Sequence, residues 1–321
     1  MNSKIISTGS YLPKKILTND DLSKIVETSD EWITERTGIK RRHIVAEGEM
    51  TSDLAYNASI KAIKKVGINK DDIGMIIVAT TTSDKTFPST ATILQHKLGI
   101  GDKCFAFDVQ AVCSGFIYAL TIADKFVKSG QVKNALVVGA ESLSKIIDWK
   151  DRNTCVLFGD GAGALILTQE SDEKQGILSS SLHSDGQYGF LLETTGGVSL
   201  SQKAGFITMQ GREIFKLAVN KMSNCVEESL KKAGLDIEDI DLIVPHQANL
   251  RILSMVAKKL KLTDDKVVLT VADHANTSAA SIPLALDYAV QNNRIKEGDL
   301  VVFEALGGGL TWGSVVVRWH S

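Results

Sequence analysis

The sequence predicts an α/β fold made of two similar lobes. Strand-like apolar runs at residues 75–80 and 135–139 alternate with helix-like segments such as 114–128. Residues 64–79 (KKVGINKDDIGMIIVA) and 231–246 (KKAGLDIEDIDLIVPH) share six identical positions in 16. Each segment indicates a helix end, a glycine stop, an Asp-rich turn and a buried strand. The length of 321 residues is sufficient for two such lobes.

A second pair of segments extends this repeat. QAVCSGFIYAL around Cys113 aligns with HANTSAASIPLAL around Asn276, and each opens a helix that leads to a further apolar strand. α/β units also resemble one another by chance, but duplication would put Cys113 and Asn276 at equivalent points. We therefore predict lobes at residues 1–172 and 173–321, with an irregular excursion at 186–205.

Composition and charge exclude several classes of protein. The net charge of -2 and the pI near 6.3 provide no overall basic field for nucleic acid or for an anionic membrane. The N-terminus lacks an apolar stretch of signal-peptide length, and the uncharged run at residues 109–123 is too short to span a bilayer. The four cysteines form no CxxC pair, which argues against a zinc site or a disulfide framework and favours a reducing cytoplasm.

Cys113 is the candidate nucleophile. It follows a strand-like run (CFAFDVQAV) and precedes Ser-Gly and a long apolar helix, so we expect it on a tight turn at a helix N-terminus. Unpaired amides and the helix dipole favour a thiolate there, and we expect a thiol pKa below the usual value of about 8.5. Cys104, Cys155 and Cys225 lack this placement and are expected to be small buried hydrophobic residues.

A histidine and an asparagine join Cys113 as candidates. His246 follows the apolar strand LIVP in a loop before a helix, where functional residues commonly lie, and the other five histidines lack this placement. Asn276 in ADHANTSAASIP either forms an Asx turn or N-cap, or presents its amide as an oriented donor. The sequence leaves both roles of Asn276 open.

Two glycine-rich runs have different interpretations. EALGGGLTWGS follows a strand at residues 300–305, and its glycines let the backbone approach a ligand and present an amide to an oxyanion. GDGAGA at residues 159–164 superficially fits a dinucleotide-binding pattern, but a strand-like run, ALILT, follows it instead of a helix. We therefore discount dinucleotide binding.

Six motifs in order along the chain resemble those of β-ketoacyl-acyl carrier protein synthase III, a condensing enzyme of the thiolase fold. They are Trp32 in TSDEWITERTGI, Cys113, FGDGAGA, PHQANLRI, NTSAAS and EALGGGLTWGS. The resemblance covers nearly the whole chain. It implies two duplicated α/β lobes in a layered αβαβα architecture.

The resemblance also implies a reaction. An acyl group, typically acetyl, passes from coenzyme A to Cys113, and the backbone amides of Cys113 and Gly308 hold the oxyanion. His246 and Asn276 then donate hydrogen bonds to the thioester carbonyl of malonyl-acyl carrier protein, which loses carbon dioxide and attacks the acyl-cysteine. This condensation begins type II fatty acid synthesis. It uses no metal or redox cofactor, and coenzyme A serves as a substrate carrier.

Binding residues follow from the same resemblance. For coenzyme A they are Trp32, Arg36, Arg152 and Asn249, with the indole and one guanidinium flanking the adenine and the other arginine meeting phosphate. For the acyl carrier protein they are Gln247, Ala248, Asn249, Leu250, Arg251, Lys258 and Lys259. The last three of these are basic, in a segment without Asp or Glu that suits an acidic partner. The family is also expected to form a homodimer, and Phe87 and Leu310 are candidates for lining the acyl channel.

One departure and several rival functions accompany the resemblance. Ala275 stands where the family usually has glycine, and its methyl group is expected to narrow the pocket slightly. A biosynthetic thiolase needs a second cysteine near the C-terminal glycine motif, and none follows Cys225; chain-elongating synthases need a histidine where Asn276 stands. A hydroxymethylglutaryl-type synthase, a ketosynthase of secondary metabolism and a noncatalytic scaffold of the same fold are the remaining alternatives.

Overall fold

The computed structural model describes residues 1–320, in which strands and helices alternate. The strands are β1 (Asn2–Tyr11), β2 (Lys15–Thr18), β3 (Arg41–Ile44), β4 (Ile73–Ala79), β5 (Phe105–Val109), β6 (Asn134–Ser142), β7 (Asp160–Glu170), β8 (Gly176–Ser184), β9 (Leu192–Thr194), β10 (Ile207–Met209), β11 (Leu242–Pro245), β12 (Leu300–Gly307) and β13 (Thr311–Arg318). The helices are α1 (Asn19–Leu22), α2 (Asp30–Thr37), α3 (Thr51–Val66), α4 (Thr90–Leu98), α5 (Gly115–Lys128), α6 (Arg152–Cys155), α7 (Val198–Ser201), α8 (Gly211–Lys232), α9 (Leu250–Lys259), α10 (Val271–His274) and α11 (Ser281–Gln291).

Two mixed sheets share one pairing pattern. The first has the order β1-β7-β6-β4-β5, and the second has the order β8-β13-β12-β11. β4 runs parallel to β6 as β11 does to β12, and each sheet continues with two antiparallel pairings. In the second sheet, the place that corresponds to β5 is taken by a single parallel bridge between Ile243 of β11 and Val267. The predicted duplication is therefore confirmed in the strand topology.

The duplicated segments fold alike in detail. α3 and α8 each end before a glycine in the left-handed region, Gly67 at φ 67° and Gly234 at φ 69°. Glycine adopts this conformation without a Cβ clash, which is why it stops both helices. Short 3₁₀ turns, Lys70–Asp72 and Ile237–Asp239, then lead into β4 and β11. This is the helix, glycine, acidic turn and strand that the repeat predicts.

Five layers result from this arrangement. α3 and α4 cover the outer face of the first sheet, α5 and α11 lie between the sheets, and α8 and α9 cover the outer face of the second. The central helices approach the first sheet closely, since a Cβ on Gly163 would lie 2.6 Å from Pro283 Cβ. Gly161 and Gly163 of GDGAGA thus lie in β7 and make room for α11, and Gly159 directly precedes the strand.

The two sheets divide the chain near its middle. Strands of the first lie within residues 2–170 and strands of the second within 176–318, which supports our proposal of lobes at residues 1–172 and 173–321. The excursion between β8 and α8 holds only short elements, β9, α7 and β10. Within residues 1–320 no helix combines the length and apolar composition needed to cross a membrane.

Candidate active site

Cys113 lies on a tight turn between β5 and α5. A 3₁₀ turn, Val112–Ser114, precedes the helix, and Val112 has φ 47°, an uncommon conformation for a β-branched residue. The Cys113 side chain is buried. The predicted placement of Cys113 at a helix N-terminus is therefore confirmed, and backbone strain of this kind commonly marks functional turns.

The glycine run after β12 packs directly against this turn. A Cβ on Gly307 would lie 2.6 Å from the Cys113 amide nitrogen, so only glycine fits there. The Thr311 hydroxyl lies 3.0 Å from the Ala111 carbonyl oxygen and 3.1 Å from the Gly308 carbonyl oxygen, and it accepts a 2.8 Å hydrogen bond from Ser114. These contacts join the two lobes at Cys113.

The thiol of Cys113 is protonated in the resting site. The pKa of Cys113 is raised to about 12, chiefly by burial; the nearby Ser278 hydroxyl lowers this pKa, whereas the Glu141 carboxylate contributes to raising it. The expected lowering of this pKa is therefore wrong for the resting structure. Desolvation outweighs the helix N-terminus because the whole side chain is removed from water.

His246 directly follows β11 and is buried, with Nδ1 2.7 Å from Ser281 Oγ. Ser281 Oγ already accepts a 3.3 Å hydrogen bond from the Gln247 amide, and His246 Nδ1 is the remaining partner for its hydrogen. The hydroxyl therefore donates to Nδ1, which leaves the proton of the neutral ring on Nε2. Burial lowers the pKa of His246 to about 3, so the ring is neutral at physiological pH.

Asn276 is held by the backbone on both sides. Its amide donates to the Leu157 carbonyl at 3.0 Å and its carbonyl accepts from Gly159 at 3.0 Å. Its side-chain Oδ1 accepts a 2.9 Å hydrogen bond from the Ser278 amide, so Nδ2 is the group left to donate. The two roles that the sequence left open are compatible, because an Asx turn orients the amide donor.

The residue before Asn276 is strained. Ala275 has φ 58° and ψ -162°, a region in which glycine is strongly favoured. Its methyl group is buried near Gly159 in the apolar cluster beneath α2 and lines neither cavity at Cys113. The expectation that this methyl narrows the pocket is therefore wrong, and its consequence is backbone strain.

Two neighbouring cavities share Cys113, Phe158 and Leu192 in their walls. The smaller one, about 100 Å³, is lined by Cys113, His246, Asn276 and Asn249 together with apolar side chains. The larger one, about 450 Å³, is lined by Cys113 with Ser278, Gly308 and the apolar Phe158 and Leu192 among others. The structure thus brings together the three residues predicted from sequence, far apart in the chain, around one space.

Trp32, Arg36 and Arg152 form a separate cluster at the surface. Both guanidinium carbons lie 4.5 Å from the centroid of the Trp32 ring, which is cation–π geometry. Arg152 also donates to the Glu27 carbonyl at 3.0 Å. An adenine on the Trp32 ring would therefore have to replace one of the two arginines that now cover it.

The segment expected to contact a carrier protein is only partly exposed. Gln247 is fully buried and bonded to the backbone of Pro245, Val268 and Thr270, so it cannot contact a partner surface. This corrects the expectation from sequence, in which Gln247 began the docking segment. Asn249 lines the smaller cavity and caps α9 through a 3.0 Å bond from the Ile252 amide.

The basic side chains of α9 differ in their contacts. Arg251, Lys258 and Lys259 are exposed, as is Leu250, whereas Ala248 is half-buried. Arg251 donates to the Glu35 carbonyl of α2 at 3.2 Å. Lys259 donates to Asn220 at 2.7 Å and to Asn224 at 3.2 Å, both on α8. Lys259 is therefore less available to a partner than Lys258.

Several site residues were not predicted from the sequence. Ser281, Ser278 and Thr311 hold or face the three candidate residues, and a Ser or Thr gives no local signal of such a role. Leu310 and Phe87 do not line the cavities, since Leu310 is buried in the core beneath α8 and the Phe87 side chain is 83% exposed. Within residues 1–320 no group of three or more His, Cys, Asp or Glu is arranged to hold a metal ion.

Comparisons with known proteins agree on one family. Residues 107–186 match the family described as 3-oxoacyl-[acyl-carrier-protein (ACP)] synthase III, and residues 230–319 match the C-terminal region of the same family. β-Ketoacyl-[acyl-carrier-protein] synthase III of Wolbachia pipientis subsp. Culex pipiens (strain wPip) is 59% identical over 321 residues, covering 99% of both chains. The protein of that name from Ehrlichia canis (strain Jake) is 55% identical over 98% of this chain and 99% of its own. The crystal structure of 3-oxoacyl-[acyl-carrier-protein] synthase III from Aquifex aeolicus VF5 superposes with a TM-score of 0.94 at 49% identity, covering 99% of this chain and all of the other.

Proposed function

Because the chain belongs to the 3-oxoacyl-[acyl-carrier-protein] synthase III family, it is a condensing acyltransferase of fatty acid synthesis, and we propose that Cys113, His246 and Asn276 perform its chemistry. The reaction joins an acyl group from an acyl-coenzyme A, acetyl-coenzyme A in our proposal, to malonyl-acyl carrier protein with loss of carbon dioxide. One observation carries the assignment. A nucleophile and two oriented hydrogen-bond donors line a single buried cavity.

Acyl transfer is the first step in this proposal. The Cys113 sulfur attacks the thioester carbonyl, and the amides of Cys113 and Gly308 bind the oxyanion that forms. The close approach of Gly307 to the Cys113 amide supports this arrangement, because it brings the glycine run against the nucleophile. The carbon-sulfur bond of the thioester then breaks, coenzyme A leaves as the thiol, and an acyl-cysteine remains.

Condensation is the second step. Nε2–H of His246 and Nδ2–H of Asn276 donate to the thioester carbonyl of the malonyl group and stabilise the enolate that forms as carbon dioxide leaves. Ser281 and the Ser278 amide support these roles, since they occupy Nδ1 and Oδ1 and leave the opposite atoms to donate. The enolate carbon attacks the acyl-cysteine carbonyl, and the sulfur leaves to give a 3-oxoacyl product.

We place the coenzyme A nucleotide at Trp32, Arg36 and Arg152. In the resting structure both guanidinium groups cover the indole, and adenine would take the place of one while that arginine turns to phosphate. Asn249 lies deeper, in the cavity that holds Cys113, where it would meet the inner end of the pantetheine arm. These residues thus mark the two ends of the proposed coenzyme A path.

The proposed docking surface for the acyl carrier protein is the exposed face of α9 and its entry. It comprises Leu250, Arg251, Lys258 and Lys259, with Ala248 and Asn249 at the entrance. The exposed side chain of Met255 lies on the same face and adds apolar contact. A basic surface next to the cavity suits an acidic partner that must deliver a thioester arm to His246 and Asn276.

We further propose a homodimer that works in the cytoplasm. β5 is an edge strand, and its Phe105 side chain remains 36% exposed while packing on Phe107 and Phe126. An exposed aromatic edge strand commonly pairs with another chain, here a second copy. All four cysteines are free thiols, which suits a reducing compartment.

The deciding experiment supplies purified protein with malonyl-acyl carrier protein and a panel of acyl-coenzyme A primers, and detects products by mass. We expect 3-oxoacyl-carrier protein that extends the primer by two carbons. Cys113→Ala should form no acyl-enzyme and no condensation product, yet still decarboxylate malonyl-carrier protein through His246 and Asn276. A labelled acyl group that remains bound to Cys113→Ala after denaturation would refute the nucleophile assignment.

A further inference from the structure

A buried carboxyl group lies near Cys113, close enough to influence its thiol. Glu141, near the end of β6, has no exposed surface. Its carboxylate accepts hydrogen bonds from the Thr82 hydroxyl at 2.5 Å and from the Thr81 amide at 3.2 Å. Thr81, Ser278 and Cys113 line the same cavity, so the bond from the Thr81 amide holds the carboxylate next to a residue of the cavity wall.

The Ser278 side chain connects the two groups. Its hydroxyl lies close enough to the Cys113 thiol and the Glu141 carboxyl to lower the pKa of each, yet it forms no hydrogen bond of good geometry in the resting structure. Ser278 is buried and has φ 50°, an uncommon conformation for a residue other than glycine. A strained, buried and unpaired hydroxyl at this place calls for a functional explanation.

We propose that Glu141 accepts the thiol proton of Cys113 through the Ser278 hydroxyl as the sulfur attacks the acyl thioester. The S–H bond of Cys113 breaks, Ser278 passes its own hydrogen to the carboxylate, and the thiol proton replaces it. The new sulfur-carbon bond forms while the bond from the acyl carbon to coenzyme A breaks. The proton then returns through Ser278 to the departing coenzyme A sulfur, so atoms and charge balance. This proposal rests on the proposed function, namely that Cys113 takes up the acyl group.

Glu141 is better suited than His246 to accept the thiol proton of Cys113. Burial raises the pKa of Glu141 to about 7, although hydrogen bonds from Thr82 and Thr81 and the nearby Ser278 hydroxyl lower it, so a large fraction is ionised at neutral pH. His246 has its pKa lowered to about 3 and its Nδ1 engaged by Ser281, which makes it a weak base. An acceptor whose pKa lies near the working pH is the more effective general base.

The groups that face Glu141 come from several elements. Thr80, Thr81 and Thr82 follow β4, Ser278 lies in the 3₁₀ turn before α11, and Cys113 lies in the turn before α5. Of these, Cys113 is titratable, and the carboxylate raises its pKa. Glu141 as a bystander would therefore hinder thiolate formation, whereas Glu141 as an acceptor would assist the attack. The two roles predict opposite effects of removing its charge.

The test measures acyl transfer to Cys113 in a single turnover, with acetyl-coenzyme A alone and intact-protein mass as the readout. Glu141→Gln should lower the rate at pH 7 by about a hundredfold, the usual contribution of a general base. In the unmodified protein the rate should rise with pH to a plateau above about 7, whereas in Glu141→Gln it should keep rising through pH 9. Glu304→Gln is the matched control, since Glu304 is also a fully buried carboxyl, and it should retain both rate and plateau.

Ser278→Ala tests the connection while the Glu141 carboxyl group stays in place, and we expect it to lower acyl transfer at least tenfold. Both variants should decarboxylate malonyl-carrier protein within threefold of the unmodified rate, which also shows that they fold. A Glu141→Gln rate equal to or above that of the unmodified protein would overturn the proposal and assign Glu141 a purely electrostatic effect. Absence of acylation in the unmodified protein would instead refute the proposed function.

Discussion

At the scale of single residues, Ala275 carries backbone strain next to a proposed catalytic side chain. Its φ of 58° and ψ of -162° destabilise the folded state by about 1–3 kcal/mol when an L-residue adopts them. Glycine would relieve this strain but would lose roughly 1 kcal/mol more in backbone entropy on folding than alanine does. We predict that Ala275→Gly raises the free energy of unfolding by about 1 kcal/mol, measured by chemical denaturation.

Ala279→Gly provides the control for that prediction. Ala279 is equally buried and lies in the 3₁₀ turn Ser278–Ala280, outside the residues with positive φ. The same change of alanine to glycine should therefore destabilise the protein there by up to about 1 kcal/mol. Equal destabilisation by both substitutions would show that Ala275 is not strained.

Ser281 controls which nitrogen of His246 carries the proton. Without the hydroxyl, the buried Nδ1 loses its donor and the ring is free to turn or to change tautomer. We predict that Ser281→Ala lowers decarboxylation of malonyl-carrier protein about tenfold or more while acyl transfer to Cys113 stays within threefold. The two half-reactions are measured separately, by carbon dioxide release and by protein mass.

An exposed serine supplies the comparison for Ser281. Ser129, at the end of α5, is exposed, and its substitution by alanine should change neither half-reaction. If Ser281→Ala slowed acyl transfer as strongly as decarboxylation, its role would be to hold the whole site and not His246 alone.

At the scale of elements, α9 separates the two proposed binding functions. Lys258 is exposed on this helix, so Lys258→Glu tests charge recognition without breaking an internal bond. We predict that Lys258→Glu raises the KM for malonyl-carrier protein at least fivefold at low salt, and that added salt reduces the effect. Arg251→Glu should raise the KM at least tenfold, and it also removes the bond to the Glu35 carbonyl.

The control for α9 is a lysine on another helix. Lys231 is exposed at the end of α8, and Lys231→Glu makes the same change in net charge away from the cavity. It should leave both KM values unchanged. A defect of Lys258→Glu in acyl transfer from acetyl-coenzyme A as large as its defect with the carrier protein would contradict docking on α9.

At the scale of the whole molecule, the open edge at β5 is the proposed dimer contact. A lysine at Phe105 would put a charge on this edge and remove the aromatic ring that packs on Phe126. We predict that Phe105→Lys raises the dimer dissociation constant at least tenfold, measured by light scattering over a concentration series.

Val66→Lys is the control for Phe105→Lys, because it also replaces a partly exposed hydrophobic residue with lysine. Val66 ends α3 and is 37% exposed, close to the 36% of Phe105, but it lies away from β5. This variant should keep the association state of the unmodified protein. A dimer that persists unchanged in Phe105→Lys would place the contact elsewhere.

Local pattern was sufficient to predict the fold and the positions of the main candidate residues. The alternation of strands and helices, the repeat ending at β4 and β11 and the turn at Cys113 all depend on neighbours in the sequence. The resemblance to a condensing-enzyme family then joined Cys113, His246 and Asn276, which pattern alone could not connect.

Tertiary structure decided the properties that depend on contacts across the two lobes. The thiol pKa of Cys113 is raised because burial and Glu141 act on it, and neither is visible in the residues beside it. Gln247 is buried although it adjoins an exposed helix, because Val268 and Thr270 supply its partners. Desolvation and hydrogen bonding are determined by the groups that surround a side chain in space, whereas helix starts, turns and strand alternation are determined by the neighbouring residues along the chain.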